Sequence, residues 1–210
     1  MGFLRLVLNS PQLFLLLMVP MLYSVIAHEV AHGVCAKCFG DDTAERAGRL
    51  TLNPLSHLDL MGTLMLFLVG FGWAKPVPVR YANLRHGRLG VFCVALAGVA
   101  TNILLATLAL AALQSSYVRP DSILRAVLQV VAQINIILGA FNLIPIPPLD
   151  GSKVLMSLLP PEAQRVFAAF ERFGFLILIL LLFTGRLDPL IASMEHLITA
   201  FIRVVFGLVR

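Results

Sequence analysis

The sequence predicts an all-α polytopic membrane protein, and three observations carry that prediction. Of 210 residues, 59% are hydrophobic and only 13% are charged, roughly half the charge of a soluble domain. The apolar residues gather in runs long enough to cross a hydrocarbon layer of about 30 Å. Lys and Arg concentrate in the links between alternate runs, as cytoplasmic loops require. The length suits one integral-membrane domain over 1–210, with a core over about 11–160 and C-terminal helices over about 164–210. In such a chain the net charge of +5 marks cytoplasmic loops and not a nucleic-acid surface. The expected partner on all sides is the lipid bilayer.

The first span is expected over about 11–36. It runs without a small-residue cleavage site into "AHEVAHGVCAKC", so a retained helix is expected in place of a cleaved leader. The stretch "RLTLNPLSHLDLMGTLMLFLVGFGWAKPVPVRYANLRHGR" follows. Its opening partly alternates, and its apolar part is short and broken by Gly and Pro. A short β-hairpin or re-entrant piece around 49–60 is expected, then a polar loop. Non-helical backbone at membrane depth survives only against protein or water, so this segment should pack on the helices beside something wet. Further spans are expected over 89–113, 123–146 and 166–185. The last segment, 187–209, carries Glu195, His196 and Arg203. It reads as a fifth span or as an amphipathic helix in the interface.

Charge then orients the chain. Lys37, Arg46, Arg49, Lys75, Arg80, Arg85 and Arg88 lie between spans one and two, and Lys153, Arg165 and Arg172 between three and four. Arg5 precedes span one, Arg119 and Arg125 link spans two and three, and Arg186 follows span four. The richer links should be cytoplasmic. The N-terminus is then outside, and spans one and three both end at the cytoplasmic face. Cys35, Cys38 and Cys93 make no disulfide framework, and the Cys35–Cys38 pair reads as ordinary small helix residues.

The chemistry sits near the end of span one. His28, Glu29 and His32 form an H-E-x-x-H. On a helix the two histidines stand at i and i+4, one turn apart on one face, which is the geometry for gripping one Zn²⁺. Glu29 is rotated by about 100° from His28, where it can take a proton from the water that zinc activates. With five His and five Glu in the chain, chance supplies such a motif on the order of 0.003 times. A charged group at bilayer depth costs about 2.5–3.5 kcal/mol and marks function. A catalytic zinc needs a third protein ligand. Candidates are His57, His86, His196, Asp59, Asp121, Asp150 and Asp188. In "FNLIPIPPLDGSKVL", Pro145, Pro147 and Pro148 break span three before the turn pair Asp150-Gly151. Asp150 there suits a ligand in a water-accessible pocket, or equally a loop cap.

His28-Glu29-x-x-His32 in one span, with Asn142-x-x-Pro145-x-Pro147-x-x-Asp150-Gly151 at the end of a later one, resembles the site-2 protease family of intramembrane zinc metalloproteases. The likeness covers roughly residues 20–160. It implies a three-helix catalytic core plus one or two further helices. It also implies one Zn²⁺ held by His28, His32 and Asp150, with Glu29 as general base. The family's middle helix typically carries G-P-x-x-N. Here that stretch is Gly98-Val99-Ala100-Thr101-Asn102, with Val99 in place of Pro. By resemblance Asn102 faces the active site to hold substrate or an oxyanion; on its own terms it is a helix-packing hydrogen bonder. "NPLSHLDLMGTLM" and "GWAKPVPV" are similar to the compact prokaryotic members. Asn142, Pro145, Pro147 and His57 are then expected along the substrate path. No PDZ-like or regulatory module is legible.

The implied substrates are transmembrane segments of membrane proteins, cut near the cytoplasmic side. The substrate would enter laterally, unwind, and pair with the 49–60 edge by β-augmentation, in a cavity lined by 41–59 and 142–153. A homo-oligomer is compatible with the sequence. Two other classes stay open: a catalytically silent scaffold for membrane helices, and a metal transporter, which calls for further ionisable residues along the spans.

Overall fold

The computed structural model describes residues 8–69 and 72–208, so Arg5 and Val209 lie outside it. Helix α1 spans Pro11–Cys38, α2 Thr43–Arg46, α3 Leu60–Val69, α4 Arg88–Leu113, α5 Ile123–Asn142, α6 Asp150–Leu158, α7 Pro161–Phe183 and α8 Asp188–Phe206. Among the described residues there is no strand. Four helices, α1, α4, α5 and α8, are long and apolar enough to cross a membrane, and the chain is an integral multi-pass membrane protein. The segment left open as span or interfacial helix therefore has the length and composition of a span. The expected span at 166–185 lies mostly in α7, which ends at Phe183 and is not among those four.

The core is built by α1, α4 and α5, each packed on the other two. α6 lies against α4, and α8 closes on α5. At about 1.5 Å per residue, the 28 residues of α1 and 26 of α4 exceed the roughly 30 Å of hydrocarbon. Ser122 caps α5 by accepting the Arg125 N–H at 3.2 Å. The same helix stops at Asn142, short of the expected 146. Three prolines in the next six positions remove helical N–H donors and clash with the preceding turn. α6 then begins at Asp150, with Gly151 tight on the end of α5. A Cβ there would lie 2.2 Å from the Leu143 carbonyl oxygen.

The expected hairpin around 49–60 is not formed. Asn53 caps a single 3₁₀ turn, Pro54–Ser56, by accepting the Leu55 N–H at 3.1 Å. Local capping outcompetes the weak alternation. Its neighbour, the extended run 73–80, carries Pro76 and Pro78, which lack the N–H groups a ladder needs. Isolated bonds link the pieces in place of a ladder: Lys75 N–H to the His57 carbonyl at 2.8 Å, and Arg49 Nη2 to the Lys75 carbonyl at 2.7 Å and the Pro76 carbonyl at 3.3 Å. At its far end Arg80 N–H donates to Asp41 at 2.6 Å. The run 73–80 is thereby strapped across α1.

Candidate metal centre

The helical spacing of α1 brings His28 and His32 edge to face, with ring centroids 4.7 Å apart. Both are nearly buried, 5% and 8% exposed. Each ring is pinned from behind. His28 Nδ1 donates to Asn102 Oδ1 on α4 at 2.6 Å. His32 Nδ1 donates to the Val94 carbonyl, also on α4, at 2.7 Å. A carbonyl oxygen only accepts, so each Nδ1 carries a proton, which leaves Nε2 as the nitrogen that can bind a metal.

Asp150, at the first position of α6, completes the group. Its Oδ2 lies 3.0 Å from His28 Nε2 and 3.1 Å from His32 Nε2, and the two Nε2 atoms are 3.1 Å apart. Three lone-pair donors converge on one point, where they repel each other unless a cation joins them. A tetrahedral ion about 2.0–2.1 Å from each ligand separates the ligands by roughly 3.3 Å. The observed triangle is within a few tenths of an ångström of that, so the residues present fit zinc. His28, His32 and Asp150 are also a group that could hold a metal by mutual reach alone. Gly98 makes the approach of α4 possible. A Cβ there would lie 2.5 Å from His28 and 2.6 Å from His32 Nε2.

Glu29 stands beside this triangle, and its Oε2 accepts the Val77 N–H at 2.9 Å. A pocket of about 250 Å³ opens over the group, floored by His28, Glu29, His32 and Asp150. The strap contributes Pro76, Val77 and Val79, the 3₁₀ turn after it contributes Tyr81, and Asn142, Pro148 and Lys153 close the other side. Lys153 places its ammonium 4.6 Å from the centre of the Tyr81 ring. Burial pushes the Tyr81 phenol up, and Lys153 only partly offsets it.

Several expected site residues sit elsewhere. Asn102 is fully buried behind His28. Its Nδ2 donates to Asn135 Oδ1 at 2.8 Å, and Asn135 donates to Ser24 Oγ at 2.8 Å. Its oxygen and its nitrogen each have a partner, and it is not part of the pocket lining. His57 is 1% exposed, and its Nε2 donates to the Thr51 carbonyl at 2.8 Å, bracing a turn away from the pocket lining. Pro145 is exposed and Pro147 buried, and it is Pro148 that reaches the pocket. Asn142 lines the pocket, with Nδ2 tied to the Leu138 carbonyl at 3.0 Å. The wall expected from 41–59 is supplied by the strap. The sequence reading quoted Gly98 without its role in admitting the two rings, and missed Val77, Asn135 and Ser24 as parts of the site. Gly98 alone left a signal, four residues before Asn102 on one helix face.

The family model of peptidase family M50 matches residues 118–182, which include Asp150. A relative named "Putative zinc metalloprotease YwhC", from Bacillus subtilis (strain 168), is 37% identical over 175 residues, 80% of this chain and 80% of the relative. The chain belongs to peptidase family M50. Two further M50-type relatives bear the name "Putative zinc metalloprotease Rip2". The one from Mycolicibacterium smegmatis is 33% identical over 183 residues, 83% of this chain and 69% of the relative. The one from Mycobacterium tuberculosis (strain ATCC 25618 / H37Rv) is 33% identical over 181 residues with the same coverage. No solved structure matches. Family and donor set agree on Zn²⁺ as the cofactor of this M50 chain.

Proposed function

We propose that this M50 chain is an intramembrane zinc endopeptidase that cleaves transmembrane segments of other membrane proteins near the cytoplasmic face. The observation that carries the reading is the triangle of His28 Nε2, His32 Nε2 and Asp150 Oδ2, with sides of 3.0–3.1 Å, beside the Glu29 carboxylate. His28, His32 and Asp150 hold the metal. Zinc bound there polarises a scissile carbonyl and lowers the pKa of water to about 7.

The chain's own residues do the rest. The substrate helix must unwind locally, because a helix hides its amides. The pocket admits the extended piece between Asn142 and the strap. Val77 N–H holds one oxygen of Glu29, and the carboxylate keeps acceptor capacity on the other. Glu29 takes a proton from the attacking water as its oxygen bonds to the carbonyl carbon. It returns that proton to the nitrogen as the C–N bond breaks. Asn102 acts as a positioning residue: it fixes the tautomer and the angle of His28.

The alternatives fare less well. Beyond the two histidines, the buried polar residues on the described spans are Ser24, Asn102, Thr107 and Asn135, all uncharged, which is thin for an ion path. A silent scaffold has no need of a carboxylate held beside the metal. The test is Glu29→Gln beside wild type, incubated in detergent with a panel of single-span membrane proteins and read by mass spectrometry of new termini. Retained zinc with cleavage reduced about 10²–10⁴-fold is expected. Cleavage at the wild-type rate contradicts the role given to Glu29.

A further inference from the structure

A second cavity, of about 280 Å³, opens beside the catalytic pocket. Tyr81 and Lys153 line both, so this pair is a shared wall. Val91 on α4 and Met156 on α6 make apolar sides of the second cavity; Arg88, Glu171, Ser157 and Gln164 complete its lining, the last two donating their polar groups to backbone carbonyls.

We propose that this cavity is a specificity subsite that takes one large apolar side chain, Leu, Met or Phe, from the substrate residue beside the scissile bond. The proposal rests on the protease reading above. Three observations support it. The first is continuity. Lys153 is three residues after Asp150 on α6, on the same helix face. An extended peptide advances about 3.3 Å per residue with side chains alternating. A carbonyl held over Asp150 therefore carries a neighbouring side chain past Tyr81 and Lys153. The second is size. Small-molecule sites occupy about 300–1,000 Å³, and this cavity falls just below them, which suits one side chain. The third is charge. Lys153 is engaged on the Tyr81 ring, and Arg88 and Glu171 are exposed and of opposite sign. The net charge left is a single positive one, and the Lys153 ammonium that carries it sits on the Tyr81 ring at the wall shared with the catalytic pocket.

The experiment compares wild type, Met156→Trp and Val91→Trp, two fillings from different walls, each checked for zinc content. The probe is a library of synthetic transmembrane peptides in detergent micelles, with cut sites mapped by mass spectrometry. Wild type is expected to favour Leu, Met or Phe at one position flanking the cut. Both zinc-loaded variants should shift that position to Ala, Gly or Ser and cut the original peptides about 10-fold or more slowly, the scale at which apolar pockets discriminate. If either zinc-loaded variant cleaves with the wild-type preference, the subsite is wrong while the protease reading stands. If zinc-loaded wild type cuts nothing in the library, or cuts with no preference at any flanking position, the subsite falls as well. The first of those results also removes support from the protease reading, and the second does not.

Discussion

Gly98 sets how closely α4 approaches the two histidines. In a helix interior, Gly→Ala ordinarily gains about 1 kcal/mol from propensity. Here the added methyl would meet His28 at 2.5 Å and His32 at 2.6 Å, and overpacking of that kind costs about 1–3 kcal/mol. Gly98→Ala should therefore bind zinc poorly while remaining helical, as metal analysis and circular dichroism on one preparation would reveal; full zinc content would show that the rings can move aside. Behind His28, the chain Asn102–Asn135–Ser24 joins α4, α5 and α1 by bonds of 2.8 Å. Asn135→Ala leaves the Asn102 amide buried without its acceptor, a penalty of about 1–3 kcal/mol, and loosens His28. Zinc affinity should fall about 10–100-fold, with a changed visible spectrum in the Co²⁺-loaded protein. An unchanged spectrum would reduce Asn135 to a packing residue. The H-E-x-x-H was legible because its geometry is local to one helix. Asn135 and Ser24 were not, because they share no local spacing with Asn102 and meet it only through packing.

Among the elements, the strap 73–80 is what distinguishes this site from three ligands on bare helices. It holds Glu29 through Val77 and is itself tied down at Asp41. That carboxylate, 0% exposed, accepts from Thr43 Oγ1, from Arg80 N–H at 2.6 Å and from Asn83 Nδ2 at 3.0 Å. Burial opposes its ionisation, yet these bonds hold it below the ordinary carboxylate value. Its contribution to stability is therefore fully present above the unfolded pKa of about 3.9. It is lost as pH falls through the lower folded value. Asp41→Ala should destabilise by about 1.5–3 kcal/mol at pH 7, and its deficit in thermal unfolding should shrink as the pH drops below about 3.9. A deficit unchanged down to pH 2 would mean that the charge is not what holds the strap. The helices were readable from apolar run length. The strap and the 49–60 turn were not: Asn53 caps its own turn, Pro76 and Pro78 remove ladder donors, and the strap is placed by bonds to distant residues such as Glu29 and Asp41.

At the scale of the whole molecule, many large apolar side chains face outward: Leu13 and Leu15 on α1, Leu104 and Leu108 on α4, Leu176 and Leu180 on α7, Val204 on α8. In water such a surface would be a liability; in a bilayer it is the expected contact with lipid. The core helices instead meet through small and hydrogen-bonding residues, including Ala95, Gly98, Asn102 and Ala106 of α4, the currency of helix association in membranes. The three-helix core follows from that division and was anticipated from the resemblance. On the metalloprotease reading, this fold brings Asp150 from α6 to two histidines one turn apart on α1, to hold one zinc ion. The most direct test is metal content by mass spectrometry on protein purified in detergent without chelators, wild type beside His28→Ala and Asp150→Ala. About one zinc per chain in wild type, lost in both variants, is the predicted result. Wild-type protein without zinc, or zinc retained when Asp150 is removed, would contradict it.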